Sequence, residues 1–165
     1  MHIEAVFRPL SDLEKAIGDL YAQWASVFDD DREAAFLFVK MANEEKGHAS
    51  LVDYQRRVIQ RNPALSGDVD VDLGVIEEAL RETRALRESP VPPTLAEAIK
   101  TALWLETSAA ESHYRNSLRS ANPELERLLS CLGSEDRGHL ERLVAFAKSR
   151  GFTPAEPAVA LPAGG

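Results

Sequence analysis

The chain has 165 residues, 44% apolar and 28% charged, which suits a single soluble domain with a sizeable core. Its net charge of −8 argues against nucleic acid or an anionic membrane surface as partner, since both need clustered Lys and Arg, and it favours cations. A lone cysteine, Cys131, excludes an internal disulfide, a CxxC redox pair and a four-cysteine metal site; in the apolar run LERLLSCLG it is expected in the core.

Taken in chain order, the segments read as helices with clear punctuation. His2 is expected at a frayed terminus. Ser11 followed by Glu14 has the form of a capping box opening SDLEKAIGDLYAQWASVF, and Asp30 followed by Glu33 starts a second helix that runs to about Arg61. NPALSGDVDVDLG is a loop, VIEEALRETRALRE a short helix and SPVPP a stop. Thr94 with Glu97 opens the third long helix, PTLAEAIKTALWLETSAAESHYRNSL. Asn122 and Pro123 form an N-cap and N1 pair for the fourth, and Gly151 closes it as a C′ residue. Only VDVDL alternates, so no strand is expected. The tail TPAEPAVALPAGG has no periodic apolar face, which divides the chain into a helical domain, 1–152, and a flexible tail, 153–165.

Apolar residues recur at three- and four-residue steps, as in Ala35, Phe38, Val39 and Ala42, and again in Leu128, Leu129 and Leu132. Such stripes mark faces buried between helices. The expected fold is all-α, a four-helix bundle with a long crossover, containing the short helix, between helices two and three. Trp24 and Trp104 are expected in the core or at a dimer interface. No apolar stretch approaches the roughly 20 residues of a membrane span. MHIEAVFRPL also lacks the basic-then-apolar pattern of a signal peptide, so a cytoplasmic location is expected.

The two halves repeat. Glu14 precedes His48 by 34 residues and Glu106 precedes His139 by 33; each half has Leu-Glu on its first helix and an acid, acid, base, Gly, His string on its second, EEKGH and EDRGH. Residues three apart share a helix face, so Glu45 with His48, and Asp136 with His139, can aim a carboxylate and an imidazole at one point. With Glu14 and Glu106 the set is four carboxylates and two imidazoles. Lacking thiolate, it favours a pair of iron ions, with manganese also suited. Four acids buried together would cost several kcal/mol without cations. Gly47 and Gly138, each just before a histidine, suggest close helix approach or room around a ligand.

On Glu14 with Tyr21 seven residues on (EKAIGDLY), EEKGH, Glu106 and DRGH, residues 10 to 150 resemble the ferritin-like superfamily, and within it the rubrerythrin-like di-iron proteins. The resemblance implies bridging roles for Glu45 and Asp136, terminal carboxylates at Glu14 and Glu106, and one histidine per metal at His48 and His139. It implies oxidation of Fe(II) by hydrogen peroxide or dioxygen, with electrons from a separate donor, and pairing as a homodimer. The sequence departs from the family in three places. Asp136 is shorter than the usual Glu, which leaves Glu135 as an alternative ligand. Tyr114 follows Glu106 by eight residues, so His113 takes the phase that Tyr21 has in the first half, as a third imidazole or a core residue. Ala109 stands where rubrerythrins carry an extra glutamate, and there is no C-terminal CxxC module. Two other functions remain open: an iron-binding or storage module with little turnover, and a scaffold whose site has decayed.

Overall fold

A computed structural model describes residues 2–69, 71–107 and 136–152. Among these the chain is all-helical: α1 (Glu4–Val27), α2 (Arg32–Arg61), α3 (Leu73–Glu88), α4 (Leu95–Thr107) and α5 (Asp136–Ser149), with one 3₁₀ turn at Pro63–Leu65. α1 packs along α2 and also against α3, and α4 packs on α5. No strand forms among the described residues, only an isolated bridge between His2 and Asp68. No described helix is long and apolar enough to cross a membrane.

The first helix starts seven residues before the expected Ser11. Pro9 lies inside it, although proline removes the N–H that would bond the carbonyl of Ala5. Packing overrides that loss: Ile3, Val6, Phe7 and Leu10 are all buried, and Ile3 N–H donates to the Gly67 carbonyl at 2.9 Å. Ser11 is itself buried, and its hydroxyl has no hydrogen-bond partner among the described residues, so it caps nothing. His2 is held rather than frayed, with Nε2 3.0 Å from the Ser66 hydroxyl. Glu14 therefore lies ten residues beyond Glu4, much as Glu106 lies eleven beyond Leu95.

The other boundaries follow local chemistry. Asp31, not Asp30, caps α2, its Oδ1 accepting from Ala34 N–H at 3.1 Å. That bond, followed by the guanidinium of Arg150 at 2.7 Å, holds the Asp31 carboxyl below its usual range. Asp72 caps α3 through Gly74 N–H at 2.9 Å. Before α4, Thr94 N–H donates to Glu97 Oε2 at 2.8 Å while Glu97 N–H donates back to Thr94 Oγ1 at 3.3 Å, the reciprocal pair of a capping box. α5 ends in a Schellman turn: Gly151, at φ 72°, donates to the Lys148 carbonyl and Phe152 N–H to that of Ala147.

The core runs along the α1–α2 contact. Tyr21, Trp24, Phe28 and Phe38 form an aromatic group with ring centroids 5.4–6.1 Å apart. Such pairs add about 0.5–1.5 kcal/mol each beyond their area. Trp24 is in this core, whereas Trp104 is 42% exposed. Val39, expected on the buried face, is 48% exposed, because the buried stripe of α2 passes through Ala34, Leu37, Phe38, Met41, Ala42 and Glu45 instead. Cys131, the Asn122–Pro123 start, the Leu128, Leu129 and Leu132 stripe and the 153–165 tail lie outside the described residues.

Candidate metal centre

Five of the six expected ligand residues stand together. α1 brings Glu14, α2 brings Glu45 and His48, α4 brings Glu106 and α5 brings His139. His48 Nδ1 is 3.1 Å from Glu45 Oε2 and 3.5 Å from Glu14 Oε2. His139 Nδ1 is 3.8 Å from Glu45 Oε1 and 4.0 Å from Glu106 Oε2. The two imidazoles stack, centroids 4.9 Å apart and planes 19° from parallel. Donor atoms of Glu45, His48 and His139 all fall within 4.8 Å of one another. Glu45 thus touches both histidines, one through each oxygen. Asp136 opens α5, but its side chain lies outside the described residues, as do Glu135, His113, Tyr114 and Ala109 in full.

Burial sets the electrostatics. Glu14, Glu45 and His139 are all buried, and the side chains of Glu106 and His48 are 8% and 14% exposed. Desolvation pushes the Glu45 carboxyl well above the usual carboxylate range. A hydrogen bond between Glu45 and His48 works against that rise, and the nearby charges of Glu14 and Glu106 add to it. That direction favours the protonated carboxyl, whereas a dication would favour the ionised one. Three carboxylates and two imidazoles, buried and without thiolate, make a donor set that fits iron or manganese.

Two contributors, Gly18 and Glu44, escaped the sequence reading, and a third, Tyr21, entered it only through its spacing from Glu14. Gly18, on α1, lies four residues after Glu14 and so on the same face; a Cβ there would stand 3.1 Å from Glu45 Cβ and 3.4 Å from the Ala42 carbonyl. This is the glycine that lets α1 approach α2 where the acids meet. Gly47 does not serve that purpose, since a Cβ there would meet nothing within 4 Å, and at Gly138 it would meet only the tip of Arg142. Both sit on outward positions beside their histidines. Tyr21, completely buried, donates from Oη to Glu106 Oε1 at 2.9 Å, so the tyrosine that follows one half's glutamate fixes the other half's. Glu44, the first acid of EEKGH, reaches across to α5, where Oε2 lies 3.1 Å from His139 Nε2 and Arg142 binds both its oxygens. The only sequence signals for Gly18 and Glu44 were a glycine in phase with Glu14 and an arginine three residues after His139.

Comparison of the chain with protein families, curated proteins and solved structures finds no match.

Proposed function

We propose that this protein is a dimetal oxidoreductase on a ferritin-like four-helix bundle, similar to the rubrerythrins, that oxidises Fe(II) with hydrogen peroxide or dioxygen. One observation carries the reading: Glu14, Glu45, His48, Glu106 and His139, from four helices, bring carboxylates and imidazoles into one buried group. A structural role alone does not account for it, because burying several acids together is unfavourable unless cations neutralise them. Two metal ions, iron with manganese as the other candidate, would be held by these five residues, Glu45 lying between the two histidines. When bound as Fe(II), the pair supplies the two electrons that, with two protons, convert hydrogen peroxide to water.

The chain's own residues prepare that chemistry. Tyr21 fixes Glu106 by its hydrogen bond, and its ring in turn packs in the aromatic group of Trp24 and Phe38. Glu14 and Glu45 orient His48 through Nδ1. Electrons for further cycles come from a separate donor, and the protein works as a homodimer in the cytoplasm under this reading.

The test is to load the protein with Fe(II), count bound iron, and follow absorbance while peroxide is added. Uptake of two ions per chain followed by rapid, repeated oxidation is the expected result. Slow uptake without turnover would instead indicate an iron-binding or storage module. A chain that binds no iron after loading would be a scaffold with a decayed site.

A further inference from the structure

The Glu44–Arg142 pair is not part of the ligand set, yet it is aimed at it. Glu44 sits one residue before Glu45, so its side chain leaves α2 about 100° round the helix axis from the buried acid. It is 23% exposed where Glu45 is 4%. From the rim it reaches over α5. There Oε2 lies 3.1 Å from His139 Nε2, and the Arg142 guanidinium holds both carboxylate oxygens. Arg142 stands one helical turn after His139 on the same face. The guanidinium thus fixes a carboxylate against the imidazole nitrogen that points away from the acid cluster.

A neutral imidazole has one N–H and one lone pair, and whichever nitrogen donates a hydrogen bond leaves the other to bind a metal. We propose that Glu44, held by Arg142, is a positioning residue for His139: it accepts the Nε2–H and so presents the Nδ1 lone pair to a divalent cation beside Glu45 and Glu106. The proposal rests on the metal-binding reading above. His48 has the same nitrogen, Nδ1, turned toward the acids, but there Glu14 and Glu45 themselves supply the orientation. His139 Nδ1 is farther from its carboxylates, 3.8 and 4.0 Å, so a carboxylate on its other nitrogen has more to determine. Glu44 also links α2 to α5 through its pair with Arg142.

Carboxylates placed behind a ligating histidine fix its tautomer and strengthen it as a ligand, and their loss costs about 10–100-fold in metal affinity. Two measurements on the full chain test the proposal. The first is the imidazole ¹⁵N spectrum of the metal-free protein, which reads the tautomer of His139 directly. Wild type should show the Nε2–H form, Glu44→Ala a mixture of both, and Glu44→Gln, whose amide oxygen can still accept, a spectrum close to wild type. The second is Co(II) titration followed by visible absorption. Affinity at one of the two sites should fall by about 10–100-fold in Glu44→Ala and less in Glu44→Gln. Arg142→Ala should show the same defect in milder form, and circular dichroism should report an intact fold in all three. If wild type and Glu44→Ala bind Co(II) alike with the same spectrum, the positioning role is wrong while the metal site stands. If His139 carries its proton on Nδ1 in the wild type, the proposal is also wrong. If the wild type takes up no Co(II), the metal reading fails and this inference fails with it.

Discussion

His48 and His139 occupy matching places in a repeated pattern, yet their surroundings differ. His48, on α2, has Nδ1 close to two candidate ligands, Glu45 and Glu14, and 14% of its side chain remains exposed. His139, on α5, is 1% exposed, lies farther from Glu45 and Glu106, and has Glu44 and Arg142 behind it. The first half orients its imidazole with the acids of the site, and the second uses a carboxylate from the rim. A repeat in sequence therefore does not guarantee a repeat in support, because each half packs against a different neighbour.

The largest expected effect separates the halves by metal count. His48→Ala and His139→Ala should each reduce bound Co(II) from two ions to one per chain, and the remaining ion's absorption spectrum should differ between the variants. Identical spectra would show that the two positions are not distinct.

Next in size is the close approach of α1 and α2. Gly18→Ala should destabilise by about 1–3 kcal/mol, because the added methyl meets Glu45 Cβ and a backbone carbonyl, neither of which can swing away. Chemical denaturation measures it, and an unchanged midpoint would mean the helices have slack there.

The metal-free protein should also depend on pH in a definite direction. Burial raises the folded Glu45 carboxyl above its unfolded value, so that its contribution to stability is complete below the ordinary glutamate range and is lost as pH rises through the raised value. Melting temperature should fall across that window, and Glu45→Gln should flatten the fall. Metal loading should reverse it, since the cation favours the ionised carboxylate.

Smaller effects follow from the tyrosine and the second glycine. Tyr21→Phe should cost about 1–2 kcal/mol through the lost bond to the Glu106 carboxylate, with no change in the aromatic packing. Gly47→Ala should stabilise by up to about 1 kcal/mol, since alanine is the better helix former and the space there is open. Opposite signs at Gly18 and Gly47 would separate a glycine required by contact from one that is merely tolerated.

Much of the helical framework can be read without coordinates. The Thr94–Glu97 box, the Arg61 end and the Gly151 stop are local signals, the first decided by side chains that bond their own backbone and the other two by backbone bonds within the last turn. Spacing likewise puts Glu45 beside His48. The start of α1 is different, because Ser11 and Glu14 imitate a cap, while the true start is decided by contacts with Gly67 some 60 residues away. Among three consecutive aspartates at 29–31, the sequence reading placed the α2 cap at Asp30, one residue before Asp31, which accepts from Ala34 N–H and pairs with Arg150. Gly18 and Glu44 act across helices, so neither their closeness nor their partners can be seen in one segment. Val39 was misassigned because its stripe is apolar on both sides and only packing decides which side is buried.

The central claim is that this acid and imidazole group binds a pair of metal ions. Crystals loaded with Fe(II) and measured by anomalous scattering at the iron edge test it most directly. The account predicts two peaks bounded by Glu14, Glu45, His48, Glu106 and His139, and loaded crystals with no peak among those side chains would contradict it.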